Sequence, residues 1–375
     1  MNLPADLGTP CALVDLDAVE RNTLAMSERV ARLGSRLRPH VKTHKTVEAA
    51  KLQVRGAFGG ITVSTLAEAR FFAQAGFRDI TYAVPIAPAR MREAIELGRS
   101  IDRLSLLVDS ELALRALQIC SAAQQVRTPV FLKVDCGNHR AGVDPTSLSA
   151  RKLAAGLAAS KHLDFRGVLA HAGHAYACRD RDEIARVARE EREVTVGFAK
   201  SLRAEGTRVD EVSIGSTPTL SVADDLTGIT EVRPGNYVFF DAFQAAIGSC
   251  TLADAAFSVL TTVVGSYPDR HRLVVDAGAL ALSKDPGPRH VDADAGFGQL
   301  LSEPGELQAG LRLTALSQEH GHIEGGTGGD LSRFPVGTRL RVVANHSCLT
   351  AALFDRYLVV RGRELVGSWR PLRGW

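Results

Sequence analysis

The chain has 375 residues, 45% hydrophobic and 23% charged, the ordinary range for a globular protein with one large core or two moderate ones. Its net charge of +3, carried by interspersed acidic and basic residues, excludes the electrostatic footprint of a nucleic-acid binder. The opening MNLPADLGTPCALVDLDAV has no basic flank leading into a long apolar run, and no stretch reaches membrane-spanning length, so a cytoplasmic protein with no membrane attachment is expected.

In chain order, TPCALVDLD reads as a short strand, and residues 1–15 are expected to join a later β domain. Residues 16–250 then alternate apolar runs with helical segments. The runs are RLRPHVKTH, GGITVST, DITYAVPI, RLSLLVDS, PVFLKVDCG, FRGVLAHAG, EVSIGST and EVRPGNYVFFD. Segments such as TLAEARFFAQAG between them repeat apolar residues every three or four positions. Eight strands alternating with helices predict an α/β fold with a closed parallel (β/α)₈ barrel rather than an open doubly wound sheet. From 251 to 375 the runs FSVLTTVVGSYP, RHRLVVDAG, LRLTALSQEHGHIEG, TRLRVVANHSC and RYLVVRGRELVGSWRP follow one another without amphipathic helices, which predicts an all-β domain. The six cysteines show no paired spacing and are expected to be free thiols.

Polar and glycine clusters stand at the ends of the apolar runs, where the loops of a barrel share one face and chemistry collects. RLRPHVKTHK places two lysines and two histidines together; if the strand continues to His44, alternation sets His40, Lys42 and His44 on one face and leaves Lys45 pointing elsewhere. Lys42 facing a phosphate site suits a Schiff base to pyridoxal phosphate, with burial and neighbouring cations lowering its pKa; a solvated rim lysine has the same sequence. GSTPT offers Gly215 with hydroxyls at Ser216 and Thr217, and PGNY offers Gly235, Asn236 and Tyr237. Both fall after strands seven and eight, the phosphate position of such barrels, although both are also ordinary turn sequences. Arg140 in DCGNHRAG either lies by the cofactor or pairs with a barrel carboxylate, and His171 either contacts the cofactor or is a satisfied strand-end histidine. In NHSC, His346 and Cys348 two apart on a strand share a face, and imidazole with thiolate suits an open zinc site. SQEHGH (Glu319, His320, His322) is placed to add a ligand or support it.

RPHVKTHKT, GITVSTLAEARFFAQAGFRDI, HAGHAY, GSTPT, RPGNYVFFD, DAGALALSKD, LSQEHG and NHSCLTAALFD together resemble the D-serine dehydratase and D-threonine aldolase family, pyridoxal-phosphate enzymes of the alanine-racemase fold type. The resemblance spans about residues 8 to 370 and implies a cofactor-binding barrel, a C-terminal β domain and a homodimer. It implies that Lys42 carries pyridoxal phosphate, that Thr217, Gly235 and Asn236 contact the phosphate, and that Tyr176 is a further cofactor contact. His346 and Cys348 match the metal pair of the dehydratase branch. Aldolase-branch members tend to have an acidic residue at the position of Cys348, and the tyrosine base of the racemases has no counterpart, so a zinc-dependent dehydratase is the implied member.

The expected reaction is β-elimination from a D-3-hydroxy amino acid such as D-serine, giving a 2-oxo acid and ammonia, with Lys42 removing the α-proton and zinc assisting loss of the hydroxyl. Retro-aldol cleavage to glycine and an aldehyde, or elimination from D-threo-3-hydroxyaspartate, would use the same residues. A non-catalytic cofactor carrier is disfavoured, because it would need no C-terminal domain.

Overall fold

The computed structural model describes residues 3–4, 6–326 and 329–375. The chain divides into two compact units, one built from Ala25–Lys42 and Ala50–Gly235, the other from Thr43–Ala49, Asn236–Arg373 and the N-terminal stretch through Leu24. The first strand, β1 (Cys11–Asp15), belongs to the second unit.

The first unit is the expected barrel. Its strands are β2 (Arg36–Leu37), β3 (Ile61–Val63), β4 (Asp79–Pro85), β5 (Arg103–Val108), β6 (Thr128–Lys133), β7 (Leu163–Leu169), β8 (Glu211–Ile214) and β9 (Glu231–Val232). They pair in parallel in the order β2-β9-β8-β7-β6-β5-β4-β3. A parallel bridge between His40 and Thr62 joins the two ends, with Val41 N–H donating to Thr62 O and Thr62 N–H to Pro39 O, each at 2.9 Å. The sheet therefore closes. Apolar runs such as Leu104–Val108 form strands because both faces are buried, one by the barrel interior and one by helices. Several runs are followed by a hydroxyl or carboxylate that starts a helix: Thr65, Ser110, Ser147 and Asp180 each accept the N–H three residues on.

The interior is not uniformly apolar. Leu107, Phe131 and Leu169 form an apolar cluster. Near the N-terminal ends of the strands the filling is ionic. Arg38, with no exposed surface, donates to Glu231 and Asp79 at 2.7 Å each; Arg103 pairs with Asp79 (3.0 Å) and Glu211 (2.6 Å); Arg166 also reaches Glu211. Despite burial, Arg38 holds Glu231 below the ordinary carboxylate range.

Two expected strands are shorter than read. β2 stops at Leu37 and residues 41–44 form a turn, so alternation does not set the direction of Lys42. β9 stops at Val232, and after Pro234, which has no N–H to donate, Asn236–Val238 form a 3₁₀ turn.

The second unit is a mostly antiparallel assembly around the long strand β10 (Phe257–Tyr267), with β11 (Arg272–Val275), β12 (Gly298–Ser302), β13 (Leu311–Leu316), β14 (Gly321–Gly325), β15 (Arg339–Ala344), β16 (Tyr357–Arg361) and β17 (Glu364–Trp369). β10 pairs with β1 and β15 along its first half and, past a register shift at Val263/Gly265, with β11. β1 also pairs in parallel with β16, and Leu13 packs with Leu260, Leu358 and Val360. Strand β12, in a Gly-rich segment poor in β-branched residues, was not expected; it exists by pairing with β15. Among the described residues no helix is long and apolar enough to cross a membrane.

Candidate active site

In the barrel unit, the C-terminal ends of β6, β7, β8 and β9 bring together a cation-rich cluster. Lys133, the last residue of β6, is buried, and its ammonium donates to Val134 O at 3.3 Å. Burial, reinforced by Arg233 and Arg140, lowers it to about 8. Arg233, just past β9, is buried as well, donates to Ser213 and to Ala170 O, and is pulled down to about 10 mainly by burial. His171, after β7, donates Nδ1–H to Gly215 O at 3.1 Å. Burial first, then Lys42, Lys133 and Arg140, push it well below its usual value, so its ring is neutral.

Lys42 is exposed in the turn after β2. The expected buried amine is thus corrected: Lys42 reaches the cluster by its charge on His171. His40 accepts from the Lys42 N–H at 3.4 Å and contacts Ser64 Oγ at 3.3 Å. Arg140 is exposed on the loop after β6 and acts on Lys133 and His171. Tyr176 lies half-buried in a 3₁₀ helix, Gly173–Ala177.

The two expected phosphate turns have different constructions. Gly215 sits at φ +115, where a side chain would also strike Leu220. Ser216 begins the helix Thr217–Val222 with a reciprocal cap, its hydroxyl accepting Thr219 N–H and its own N–H donating to Thr219 Oγ1 at 3.1 Å. The Ser216 hydroxyl oxygen thus serves as a helix cap, while Thr217 opens the helix, buried. Glu191, fully buried on the helix Arg181–Ala204, gathers these segments: it accepts from Ala172 N–H (2.8 Å), Gly215 N–H (3.1 Å) and Thr219 Oγ1 (3.1 Å). Gly235 lies against His40, whose Cβ and carbonyl would each meet an added Cβ at 2.9 Å. Only a glycine lets the two backbones approach this closely.

In the second unit, Asn236 and Tyr237 are buried at the start of the 3₁₀ turn. The Asn236 side chain does not project toward an open turn, as a side-chain phosphate contact would require. Its Nδ2 donates to Asp241 (2.8 Å) and Ser347 Oγ (2.9 Å) and lies 3.6 Å from Cys348 Sγ.

His346 and Cys348 do not lie on a strand. β15 ends at Ala344, and His346 is the N-cap position of the short helix Ser347–Ala351. The pair still comes together. Asp285 lies 3.2 Å from His346 Nδ1, which leaves Nε2 for another partner. Although burial opposes it, Asp285 and Cys348 hold the proton on His346 up to about 11. Cys348 Sγ is 3.2 Å from Thr43 Oγ1. A ring nitrogen oriented by a carboxylate, next to a thiol with hydrogen-bond donors, is the donor chemistry of zinc, whose binding would displace both protons. Among the described residues no cluster of three or more His, Cys, Asp or Glu is placed to hold a metal. The expected support from 319–322 is corrected: Glu319 and His320 are exposed, and His322 Nε2 contacts Ser317 Oγ at 3.1 Å. Asp285 supplies the support instead.

Pyridoxal phosphate also fits the barrel cluster: Lys133 and Arg233 are buried near Glu191, with Glu231 also acting on Arg233, and Lys42 and Arg140 add positive charge around His171, a set of cations suited to an anion. The sequence reading missed four of the residues concerned, Lys133, Arg233, Glu191 and Asp285. A lone lysine inside the apolar run PVFLKV marks Lys133. Glu191 shares the buried face of its helix with Ile184, Val187, Ala188 and Thr195, a spacing that reveals it. Nothing local to Asp285 marks it.

Residues 14–242 match the family "Alanine racemase, N-terminal domain" and residues 256–360 match "Putative serine dehydratase domain". The chain is 40% identical over 392 residues to the D-serine dehydratase of Dictyostelium discoideum, covering 99% of this chain and 98% of that protein. It is 42% identical over 376 residues to the D-threo-3-hydroxyaspartate dehydratase of Delftia sp. (strain HT23), covering 98% of each. A solved structure of a D-threo-3-hydroxyaspartate dehydratase with one cysteine replaced by alanine, described as the metal-free form, superposes with a TM-score of 0.94 at 39% identity over 100% of both chains. With a matching barrel domain, a matching β domain and relatives of this identity along its whole length, the chain belongs to the D-serine dehydratase family of alanine-racemase-like, pyridoxal-phosphate-dependent lyases.

Proposed function

We propose that this protein is a zinc-assisted lyase that removes water from a D-3-hydroxy amino acid, D-serine or D-threo-3-hydroxyaspartate, leaving an enamine that hydrolyses to a 2-oxo acid and ammonia. The observation that carries this reading is the His346–Cys348 pair with Nδ1 of the imidazole fixed by Asp285. Bound pyridoxal phosphate supplies a sink for the electron pair left on the α-carbon, and zinc supplies a Lewis acid for the departing hydroxyl.

The chain's own residues have distinct tasks. The Lys42 amine would carry the cofactor and take the α-proton once released. Neutral His171, held by Gly215 O, offers Nε2 to a hydrogen bond without adding charge. Arg140, Lys133 and Arg233 provide the positive field for an anionic cofactor and substrate. Asp285 keeps His346 Nε2 aimed for the ion, and Thr43 Oγ1 donates to Cys348 once its sulfur is a thiolate. A thiolate and an imidazole favour zinc over harder ions, and so favour elimination over the aldol chemistry expected with an acidic ligand.

The test is product analysis. Protein loaded with pyridoxal phosphate and zinc is incubated with D-serine, D-threo-3-hydroxyaspartate and D-threonine, and 2-oxo acid, ammonia, glycine and aldehyde are measured together. Equal amounts of oxo acid and ammonia are expected, and the fastest substrate identifies the preferred side chain. Glycine and aldehyde in equal amounts would replace the proposal with an aldolase.

A further inference from the structure

We propose that Asp241 is a positioning residue that couples the metal loop to the Asn236 turn, so that zinc and pyridoxal phosphate each tighten the binding of the other. The inference rests on the reading above, in which His346 and Cys348 hold zinc, and on Asn236 contacting the cofactor phosphate as the family resemblance implies.

Asp241 is 2% exposed, yet its two oxygens collect four donors. Oδ1 accepts the Gln244 N–H at 2.9 Å and caps the helix Ala242–Ala246. Oδ2 accepts from Asn236 Nδ2 at 2.8 Å, from the Ser347 N–H at 3.0 Å and from the Ser347 hydroxyl at 3.2 Å. Ser347 is the residue between the two metal-ligand candidates. A single carboxylate oxygen thus fixes the backbone of the metal loop and the side chain of the phosphate-turn residue.

The Asn236 amide group makes this link sensitive to the metal. Its two N–H bonds face three acceptors: Asp241 Oδ2, Ser347 Oγ at 2.9 Å and Cys348 Sγ at 3.6 Å. Among the described residues its buried Oδ1 has no hydrogen-bond partner. The reverse orientation of the amide would set that oxygen against the Asp241 carboxylate, so the carboxylate dictates which way Asn236 points. Zinc held by His346 and Cys348 would fix the loop between them, and through Ser347 and Asp241 the side chain of Asn236, narrowing the conformations of the turn. A turn already ordered by one ligand loses less entropy on binding the second. By linkage the effect is reciprocal: the factor by which zinc strengthens cofactor binding equals the factor by which the cofactor strengthens zinc binding.

The experiment measures both factors. Pyridoxal phosphate is titrated into zinc-free and zinc-loaded protein by its absorbance, and zinc is titrated into cofactor-free and cofactor-loaded protein against a competing chelator. In the wild type each ligand is expected to tighten the other by about tenfold, with the two factors equal. Asp241→Asn is expected to bring the factor to about one. Asn236→Ala, which keeps the backbone of the turn and the Asp241–Ser347 bonds, is expected to do the same while zinc still binds, and circular dichroism reports on the fold of both variants. A wild-type factor of one with zinc bound overturns the coupling, and so does a folded variant that keeps the wild-type factor. A wild type that takes up no zinc removes the parent reading of the His346–Cys348 loop, and the coupling with it.

Discussion

The two ends of the barrel both bury charge, and they do it with opposite balance. Near the N-terminal ends of the strands, Arg38, Arg103 and Arg166 face Asp79, Glu211 and Glu231 in direct ion pairs, and charge is matched by charge. At the C-terminal ends, Lys133 and Arg233 lie near Glu191, which is itself engaged with backbone N–H groups and a threonine; Glu231 also acts on Arg233, and Lys42 and Arg140 add further positive charge around His171. A matched buried network holds a structure in register. In the unmatched one, burial first and the neighbouring cations second lower Lys133 and His171, and the surplus positive charge suits an anion. The comparison distinguishes scaffold from site within a single unit: charge matching marks the first and charge excess marks the second.

The largest effect should come from the excess end. Lys42→Ala is expected to abolish the visible absorption band of bound cofactor and to lower turnover by about 10³-fold or more, checked by absorbance and oxo-acid assay. A variant with normal turnover would move the cofactor lysine elsewhere, with Lys133 the next candidate. At the matched end the effect should fall on stability instead. Glu231→Gln leaves Arg38 buried with only Asp79 as an ionic partner and is expected to cost about 3–5 kcal/mol in urea unfolding, with the cofactor affinity of the folded fraction unchanged. Loss of cofactor affinity without loss of stability would reverse the assignment of the two ends.

Two smaller effects sharpen the comparison. Glu191→Gln puts an amide N–H₂ in place of one carboxylate oxygen, so that either the acceptor of Ala172 and Gly215 or the acceptor of Thr219 is lost, and is expected to weaken cofactor binding by roughly tenfold with the helical signal intact, as read by titration. The smallest effect is a pH dependence. Lys133 is lowered from 10.5 to about 8 in the folded, cofactor-free chain, mainly by burial. Between those values the unfolded chain binds a proton that the folded chain does not, so stability rises with pH there and is reduced below about 8. From pH 8 to 9 the cofactor-free protein should gain about 1 kcal/mol relative to Lys133→Met, measured by urea unfolding at each pH. Equal slopes for the two proteins would show that Lys133 keeps its ordinary pKa.

Much of this arrangement is legible in the sequence, and the parts that are not have physical causes. All eight barrel strands were visible because an apolar run followed by a polar capping residue is a local pattern, as in RLSLLVDS. At Ser216 a capping residue and a phosphate-binding loop use the same residue types, and only the structure shows the reciprocal cap with Thr219. The geometry of His346 and Cys348 differs from the expectation because the run TRLRVVANHSC extends to Cys348 while the strand ends at Ala344. Asn345 reaches sideways to Asp285 O and Gly296 O, and the helix begins at the next residues. The partners of this loop, Asp285 and Asp241, lie 61 and 106 residues from the groups they hold, so no local pattern reveals them.

The measurement that tests the zinc-assisted lyase most directly is metal removal and restoration in cofactor-loaded protein. The chain is treated with a zinc chelator, dialysed, and assayed for 2-oxo acid from its best D-3-hydroxy substrate before and after one equivalent of zinc is returned, with Cys348→Ala in parallel. Elimination should be lost with the metal while the cofactor's visible band remains, return with zinc in the wild type, and stay absent in the variant. Undiminished elimination by zinc-free wild type, or by the variant, would contradict the account.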